Sequence, residues 1–162
     1  MDDRELFLRV WQDEAPRFRR VLEALPEGQL DFRPHERSRS ARELAWTIAD
    51  MTSLLATFLR TGEARWELQT PPASLEGIVS AYDRAALAVA RELANADDGR
   101  WDGSTGRLLA QGELAWEAPF REMAWGYLFD LIHHRGQLSV YIRPMGGRVP
   151  AIYGPSGDSP GS

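Results

Sequence analysis

The chain has 162 residues, of which 43% are hydrophobic, and it carries a formal net charge of −5. This length fits one domain that can bury a full core. With this negative charge, nothing in the composition suggests a nucleic-acid-binding face. Because the sequence contains no cysteine, it also excludes disulfides, thiolate zinc sites and cysteine nucleophiles.

The N-terminal segment, MDDRELFLRV, is acidic and amphipathic and does not have the pattern of a signal peptide. No run of the sequence approaches the ~18 apolar residues that a membrane-spanning helix needs. We therefore expect a cytoplasmic protein that has neither a membrane nor a nucleic acid as a partner.

Apolar side chains recur at helical spacing over residues 2–25, which predicts the first helix. Pro16 lies inside this segment and lacks the backbone N–H of a helix interior. The sequence therefore predicts a kink or a break near residues 12–15. The apolar stripe consists of Phe7, Trp11, Phe18, Val21, Leu22 and Leu25.

Two further helices begin at capping residues. Ser40 and Glu43 form a capping box that opens the second helix, which ends near Gly62. Ser74 opens a third helix over residues 75–96. The connection between the second and third helices is predicted to be a loop.

Residues 100–117 are ambiguous. Gln111 and Gly112 lie between two apolar runs and are consistent with a small hairpin, although a lone hairpin is only marginally stable. We assign this stretch to loop with weak strand character. A fourth helix follows over residues 118–143, because the apolar pattern is longest there.

Four long amphipathic helices and no internal repeat predict an all-α fold, a four-helix bundle over residues 1–145. The long 95–118 connection allows a crossover. Residues 146–162 are rich in glycine and proline, so we expect an extended or disordered C-terminal tail that is pinned by its few apolar side chains.

The fourth helix carries an aspartate and a histidine on one face. Asp130 and His134 are four residues apart, so their side chains lie one turn above the other, and His134 falls within the stripe that faces the core. Such a pair serves as two metal ligands, as an acid/base pair or as a structural charge pair. The spacing alone leaves these alternatives open. His133 is one position off the stripe, which places it at the rim.

A zinc site needs at least a third ligand, and the inward face of the second helix is the expected source. Its polar residues are Glu43, Thr47 and Asp50. We expect the helix cap to occupy Glu43, and Thr47 is a poor zinc ligand because its hydroxyl is neutral. Asp50 reaches the interior only if the helix is rotated toward it. A harder cation completed by water, such as Mn²⁺ or Ni²⁺, is the alternative.

Two segments resemble the DinB/YfiT-like family of bacterial four-helix proteins. FDLIHHRGQLSVYIRPMGGRVPAIYGPS is similar to the family's C-terminal part, and FRPHERSRSARELAWTIADM is similar to its second-helix region. The resemblance implies a four-helix bundle and often a homodimer. It also implies a divalent-metal site of three histidines, one on helix 2 and two spaced four apart on helix 4. Some relatives are metal-dependent thiol transferases.

Carried over residue by residue, the resemblance places the helix 2 ligand at Thr47 and the first helix 4 ligand at Asp130, where the family usually has histidine. Only His134 matches outright. His133 or Gln137 would form hydrogen bonds that orient the ligands without contacting the metal. We therefore expect a divalent metal (Zn²⁺, Ni²⁺ or Mn²⁺) to bind weakly or not at all, with water completing its shell.

Three hypotheses of function follow. The first is a DinB-like protein with a degenerate metal pocket that activates a water or a thiol for transfer or hydrolysis. The second is a non-catalytic protein, stress-associated or binding a small-molecule ligand, whose pocket between helices 2 and 4 holds no metal. The third is a homodimeric scaffold that uses Trp66 and Trp101 as interface anchors.

Overall fold

The computed structural model describes residues 1–96 and 98–158, which form four long α-helices, one short α-helix, one 3₁₀ turn (Glu27–Gln29) and three strands. Asp97 and residues 159–162 of the predicted tail lie outside the described residues. In chain order the elements are α1 (Asp3–Glu23), α2 (Ala41–Thr61), β1 (Glu63–Trp66), α3 (Leu75–Ala94), α4 (Asp98–Gly103), β2 (Thr105–Ala110), β3 (Glu113–Pro119) and α5 (Phe120–Tyr141).

The four long helices form a bundle in which each helix packs mainly against two others. α1 packs against α3 and α5, and α2 packs against the same two helices. α1 and α2 are consecutive in the chain, yet both pack against α3 and α5, so they lie opposite each other in the bundle. The connection between α1 and α2 therefore crosses the bundle. The chain crosses it again between α3 and α5. The predicted four-helix bundle with a crossover connection is therefore confirmed.

α1 continues through Pro16, so the predicted break is wrong. The side chain of Arg17 donates to the carbonyl of Asp13 at 2.8 Å, in the turn that the proline disturbs. Buried aromatic residues on both sides of the proline, Trp11 and Phe18, anchor the helix in the bundle. This tertiary packing outweighs the local cost of the proline.

The start and end of α2 agree with the sequence. The Ser40 hydroxyl accepts a hydrogen bond from the N–H of Glu43, and the Glu43 carboxylate accepts one from the N–H of Ser40 at 2.7 Å. Gly62 follows the last turn with φ of 81°, a left-handed conformation that favours glycine. The two caps fix the limits of α2, the helix that supplies most of the cavity wall described below.

A three-stranded sheet packs against α2 and α5, and the sequence did not predict it. β1 pairs in parallel with β2, and β2 pairs antiparallel with β3. The predicted loops between α2 and α3 and over residues 100–117 are therefore wrong where these strands lie. A four-residue strand has little pattern of its own, and its register, in which Glu63 pairs with Arg107, depends on distant residues.

The turn between β2 and β3 consists of Gln111 and Gly112, which have φ of 52° and 84°. Two-residue hairpin turns of type I′ need positive φ at both central residues, a conformation that glycine adopts readily. The hairpin that the sequence left ambiguous thus forms. β1 adds a third strand, which overcomes the marginal stability of a lone hairpin.

Trp101 lies in the core, so its expected role as an interface anchor is wrong. Its side chain is buried against Phe7 and Phe120, and its indole N–H donates to Asp3 at 2.9 Å. Trp66 is half-buried beside the cavity described below. Within the described residues, no helix is long and apolar enough to cross a membrane.

A buried ion pair joins α1, α5 and the C-terminal segment. Arg135, which is only 2% exposed, forms a salt bridge with Glu14. The Tyr153 hydroxyl accepts from Arg135 at 2.5 Å and donates to Glu14 at 3.0 Å. Arg17 contacts the other oxygen of Glu14 at 2.9 Å. These contacts hold the described part of the tail against α1 and α5.

Candidate ligand-binding cavity between α2 and α5

A cavity of about 600 Å³ opens between α2 and α5, and we call it the α2–α5 cavity. Its remaining walls come from β1, β2, the loop before α2 and the segment after β1. The three residues predicted as metal ligands all line it. The lining from α2 and α5 consists of Glu43, Trp46, Thr47, Asp50, Met51, Leu54, Tyr127, Asp130 and His134.

Asp130 and His134 contact each other along α5. The His134 Nε2 lies 3.2 Å from the Asp130 Oδ2, and the His134 Nδ1 lies 3.1 Å from the Oε1 of Gln137. The His134 side chain is 16% exposed and that of Asp130 is 45% exposed. His134 is therefore half-buried at the wall of the cavity and is not enclosed in the core as predicted. His133 is exposed beside it, with its ring 5.3 Å from that of His134.

Thr47 lines the same cavity from α2, but its hydroxyl is already engaged. It donates to the backbone carbonyl of Glu43 at 2.9 Å, and it accepts from Nη1 of Arg39 at 2.8 Å. Arg39 belongs to the loop before α2, and its backbone carbonyl accepts a hydrogen bond from the Tyr141 hydroxyl at 3.2 Å. A guanidinium group therefore contacts the residue that the sequence predicts as the helix 2 ligand.

Two of the three expected donors fit a metal ion. Ligands on a tetrahedral zinc ion lie about 3.3 Å apart, given bond lengths of about 2.0 Å, which matches the 3.2 Å between His134 and Asp130. The third donor does not fit, because the Thr47 oxygen holds a cation. Among the residues whose side chains are described, no three histidine, aspartate or glutamate residues are grouped to hold a metal. This donor set does not fit a three-ligand metal site.

α2 carries two acidic residues, Glu43 and Asp50. Glu43 forms an ion pair with Arg33, and Asp50 forms no ion pair with a described residue. The hydrogen bond from the N–H of Ser40, and to a smaller extent the guanidinium of Arg33, lowers the pKa of Glu43 below its usual value. Because the bond to Ser40 is part of the helix cap, the prediction that the cap occupies Glu43 is confirmed. Burial raises the pKa of Asp50. In the part of the chain that the structure describes, Asp50 has neither an ion pair nor a hydrogen bond from a side chain.

The cavity residues that sequence reasoning missed include Arg39, Trp46 and Tyr127. Helical spacing could have pointed to two of them. Trp46 is four residues before Asp50 on α2, and Tyr127 is three residues before Asp130 on α5, so each shares a helix face with a candidate ligand. The indole Nε1 of Trp46 and the hydroxyl of Tyr127 are buried, and neither has a hydrogen-bond partner among the described residues. Burial also raises the pKa of Tyr127, so its hydroxyl stays protonated.

The fold and the cavity define a class of protein: a four-helix bundle with a ligand-sized cavity between its second and last long helices. The chain belongs to the DinB family, and the family's sequence profile matches residues 1–160. The resemblance that its second and last long helices suggested is therefore confirmed. Family membership by itself assigns neither a metal nor a reaction.

Three relatives cover nearly the whole chain. The chain is 27% identical over 153 residues to the uncharacterized protein YrdA of Bacillus subtilis (strain 168), covering 93% of this chain and 87% of that protein. A crystal structure of a DinB-like protein from Bacillus cereus matches with a TM-score of 0.73 at 21% identity, over 92% of this chain and 97% of the other. A crystal structure of the DinB-like protein YjoA of Bacillus subtilis matches with a TM-score of 0.67 at 20% identity, over 87% of this chain and 92% of the other. At such identities the two structures show the fold alone.

Proposed function

We propose that the α2–α5 cavity binds a small organic molecule and that it does so without a tightly held metal. The observation that carries this proposal is the hydrogen bond from Arg39 to Thr47. It puts a positive charge at Thr47, the position that the family resemblance implies for the third metal ligand. A divalent cation next to a guanidinium group is repelled.

Metal-dependent transfer or hydrolysis, which the family resemblance implies for some relatives, needs an ion held by about three protein ligands. Asp130 and His134 alone leave most of the coordination shell to water. Their contact with each other therefore serves better as a hydrogen-bonding edge for a ligand. Both ring nitrogens of His134 are already in contact with Asp130 and Gln137, so the Asp130 carboxylate is the group of this pair that has acceptor capacity left for a ligand.

The size and the walls of the cavity suit an organic ligand. Its volume of about 600 Å³ falls within the range of roughly 300 to 1,000 Å³ that is typical of small-molecule sites. Met51, Leu54 and Leu108 contribute apolar surface, and Trp46 and Trp66 contribute aromatic side chains. Small-molecule pockets usually combine apolar walls with a few polar groups, and this cavity adds charged residues of both signs, among them Arg37 and Asp130.

Replacing Leu54 by tryptophan should fill part of the cavity and block such ligands. Leu54 is a half-buried wall residue on α2. In saturation-transfer NMR with a fragment library, we expect a set of fragments that bind the wild type and bind Leu54→Trp about tenfold more weakly or not at all. Circular dichroism checks that the variant keeps its helical content.

The matched control is Leu87→Trp, because Leu87 is 73% exposed on α3 and lies outside the cavity. This control should retain every fragment that the wild type binds. The proposal is overturned if the fragments that bind the wild type bind Leu54→Trp equally well, or if no fragment binds the wild type at all.

We also propose that α5 mediates a homodimer through a face that the bundle leaves uncovered. Phe129 and Val140 are 61% and 68% exposed. With His133 and Gly136 they form a stripe spaced by four, three and four residues, which is the spacing by which one helix packs along another. Among the described residues, no atom lies within 4 Å of where a Cβ on Gly136 would stand, which leaves room for a close approach. A second copy of α5 offers a self-complementary partner.

Replacing Phe129 by glutamate should convert this dimer to monomers, because each interface would then bury two unpaired carboxylates. Sedimentation equilibrium measures the mass directly. Leu87→Glu, which places the same charge at an exposed leucine on α3, should remain dimeric. A monomeric wild type, or a dimer that survives Phe129→Glu, would contradict the proposal.

A further inference from the structure

Arg39 lies where two cavities meet. Besides the α2–α5 cavity, a second cavity of about 420 Å³ opens beside α5, and we call it the adjoining cavity. The two cavities share Ser38, Arg39 and His134 in their walls. Arg39 is an exposed residue, so its guanidinium group is accessible to a ligand in the α2–α5 cavity.

Contacts with both cavity-forming helices fix the position of Arg39. Its Nη1 donates to the Thr47 hydroxyl on α2 at 2.8 Å. Its backbone carbonyl accepts a hydrogen bond from the Tyr141 hydroxyl on α5 at 3.2 Å. A side chain that is positioned before a ligand arrives loses less entropy when the ligand binds.

Most of the hydrogen-bonding capacity of Arg39 is unused. A guanidinium group has five N–H donors, and the contact with Thr47 uses one of them. Within the described part of the chain, the Nε and Nη2 of Arg39 have no partner, and no carboxylate forms an ion pair with it. Arg33 in the same cavity, by contrast, pairs with Glu43 at 3.0 Å. The positive charge of Arg39 is therefore left without a counter-charge from the described residues.

The remaining charged residues of the cavity do not supply this counter-charge. Asp130 contacts His134. Burial disfavours the negative charge of Asp50 and raises its pKa. Glu36 and Arg37 are exposed neighbours on the loop before α2, and their opposite charges offset each other in the net charge of the wall. An anionic group of a ligand is thus the missing partner of the anchored guanidinium.

The free side of the guanidinium selects the kind of anion. Nε and Nη2 together bind a carboxylate through two parallel N–H···O bonds, and such charge-assisted pairs are stronger than neutral hydrogen bonds. A dianion such as a phosphate meets stronger repulsion from the acidic residues of the cavity. We propose that Arg39 binds the carboxylate of a small monocarboxylic acid whose apolar body lies against Met51 and Leu54. This inference rests on the proposed small-molecule function of the cavity and names its ligand class.

Hydrocinnamate, its amide, phenylpropylammonium and phenethylphosphonate each join a phenyl ring to a short chain and differ in the charge of the polar group. In titrations followed by NMR, hydrocinnamate should bind the wild type about tenfold more tightly than its amide, which corresponds to about 1.4 kcal/mol. The cation and the dianion should both bind more weakly than hydrocinnamate. Added salt should weaken the binding of hydrocinnamate more than that of its amide, because salt screens the ion pair.

Three variants locate the carboxylate. Arg39→Gln keeps hydrogen-bond donors but removes the charge, so hydrocinnamate and its amide should bind this variant equally. Arg84→Gln is the matched control, because it removes the same charge at an exposed residue of α3 outside the cavity. This control should keep the tenfold preference. Leu54→Trp should weaken the binding of both probes, since it occupies the space of their common apolar body.

The outcomes distinguish this inference from the function on which it rests. Equal affinities of the wild type for hydrocinnamate and its amide, tighter binding of the cation or the dianion, or a preference that survives Arg39→Gln would overturn the carboxylate assignment. So would fragments that bind in a Leu54-dependent manner while hydrocinnamate fails to bind. If no small molecule binds in a Leu54-dependent manner, the proposed function falls as well.

Discussion

Replacing Arg135 by methionine is expected to lower the free energy of unfolding by about 3 to 5 kcal/mol, because the buried Glu14 would lose its buried cation and keep only the partly exposed Arg17 and the Tyr153 hydroxyl. The side chains of Arg135 and Glu14 are 2% and 6% exposed, so water cannot take the place of the guanidinium. Arg135 also lies over the rings of Phe18 and Tyr153. The loss corresponds to a fall in Tm of roughly 6 to 20 °C for a chain of this length.

Urea unfolding monitored by circular dichroism measures this change. The control is Arg107→Met, which removes an exposed pair with Glu117 on the sheet and should cost less than about 1 kcal/mol. Combining Glu14→Leu with Arg135→Met should recover most of the lost stability, since no buried charge is then left unpaired and Arg17, which loses Glu14, is partly exposed to water. A double variant as unstable as Arg135→Met would show that lost packing, not the unpaired charge, explains the effect.

Replacing Thr47 by histidine is expected to raise the affinity for Zn²⁺ at least about 100-fold, which corresponds to about 2.7 kcal/mol. The new imidazole would stand in the cavity that Asp130 and His134 also line, which would make a three-ligand set. The substitution also removes the hydroxyl that holds Arg39. Competition with a chromophoric chelator measures the gain.

Ser53→His controls for the addition of a histidine to α2, because Ser53 is exposed and lies outside the cavity. This control should bind Zn²⁺ as the wild type does. If Thr47→His gains no more affinity than Ser53→His, the family's helix 2 ligand position does not lie at Thr47.

The helices could be predicted from the sequence because their signals are local. The capping box at Ser40 and Glu43 and the glycine at 62 lie within a few residues of the helix ends that they fix. Asp130 and His134 share a face because of helical geometry alone. The likeness to the DinB family added Thr47, which helical spacing could not single out.

The features that escaped prediction depend on contacts between distant parts of the chain. The parallel pairing of β1 with β2 joins two segments that are far apart in sequence. Arg135 is buried because Glu14 on α1 and Tyr153 in the tail both converge on it. No local pattern encodes such a convergence.

The unpaired polar atoms of Trp46 and Tyr127 escaped prediction for a related reason. Whether a buried donor has a partner depends on everything that surrounds it, and a sequence shows only the donor. Both residues had ordinary structural roles as large side chains in the bundle. Only the structure shows that their polar atoms stay unpaired beside one cavity.

Isothermal titration calorimetry of the metal-free wild type with Zn²⁺ tests the central claim most directly. If Arg39 and Thr47 close the third ligand position, the wild type should bind Zn²⁺ with a Kd weaker than about 100 μM, which corresponds to about −5.5 kcal/mol. Binding of one Zn²⁺ per chain with a Kd below about 1 μM, abolished by His134→Ala, would contradict the claim and establish the cavity as a metal site.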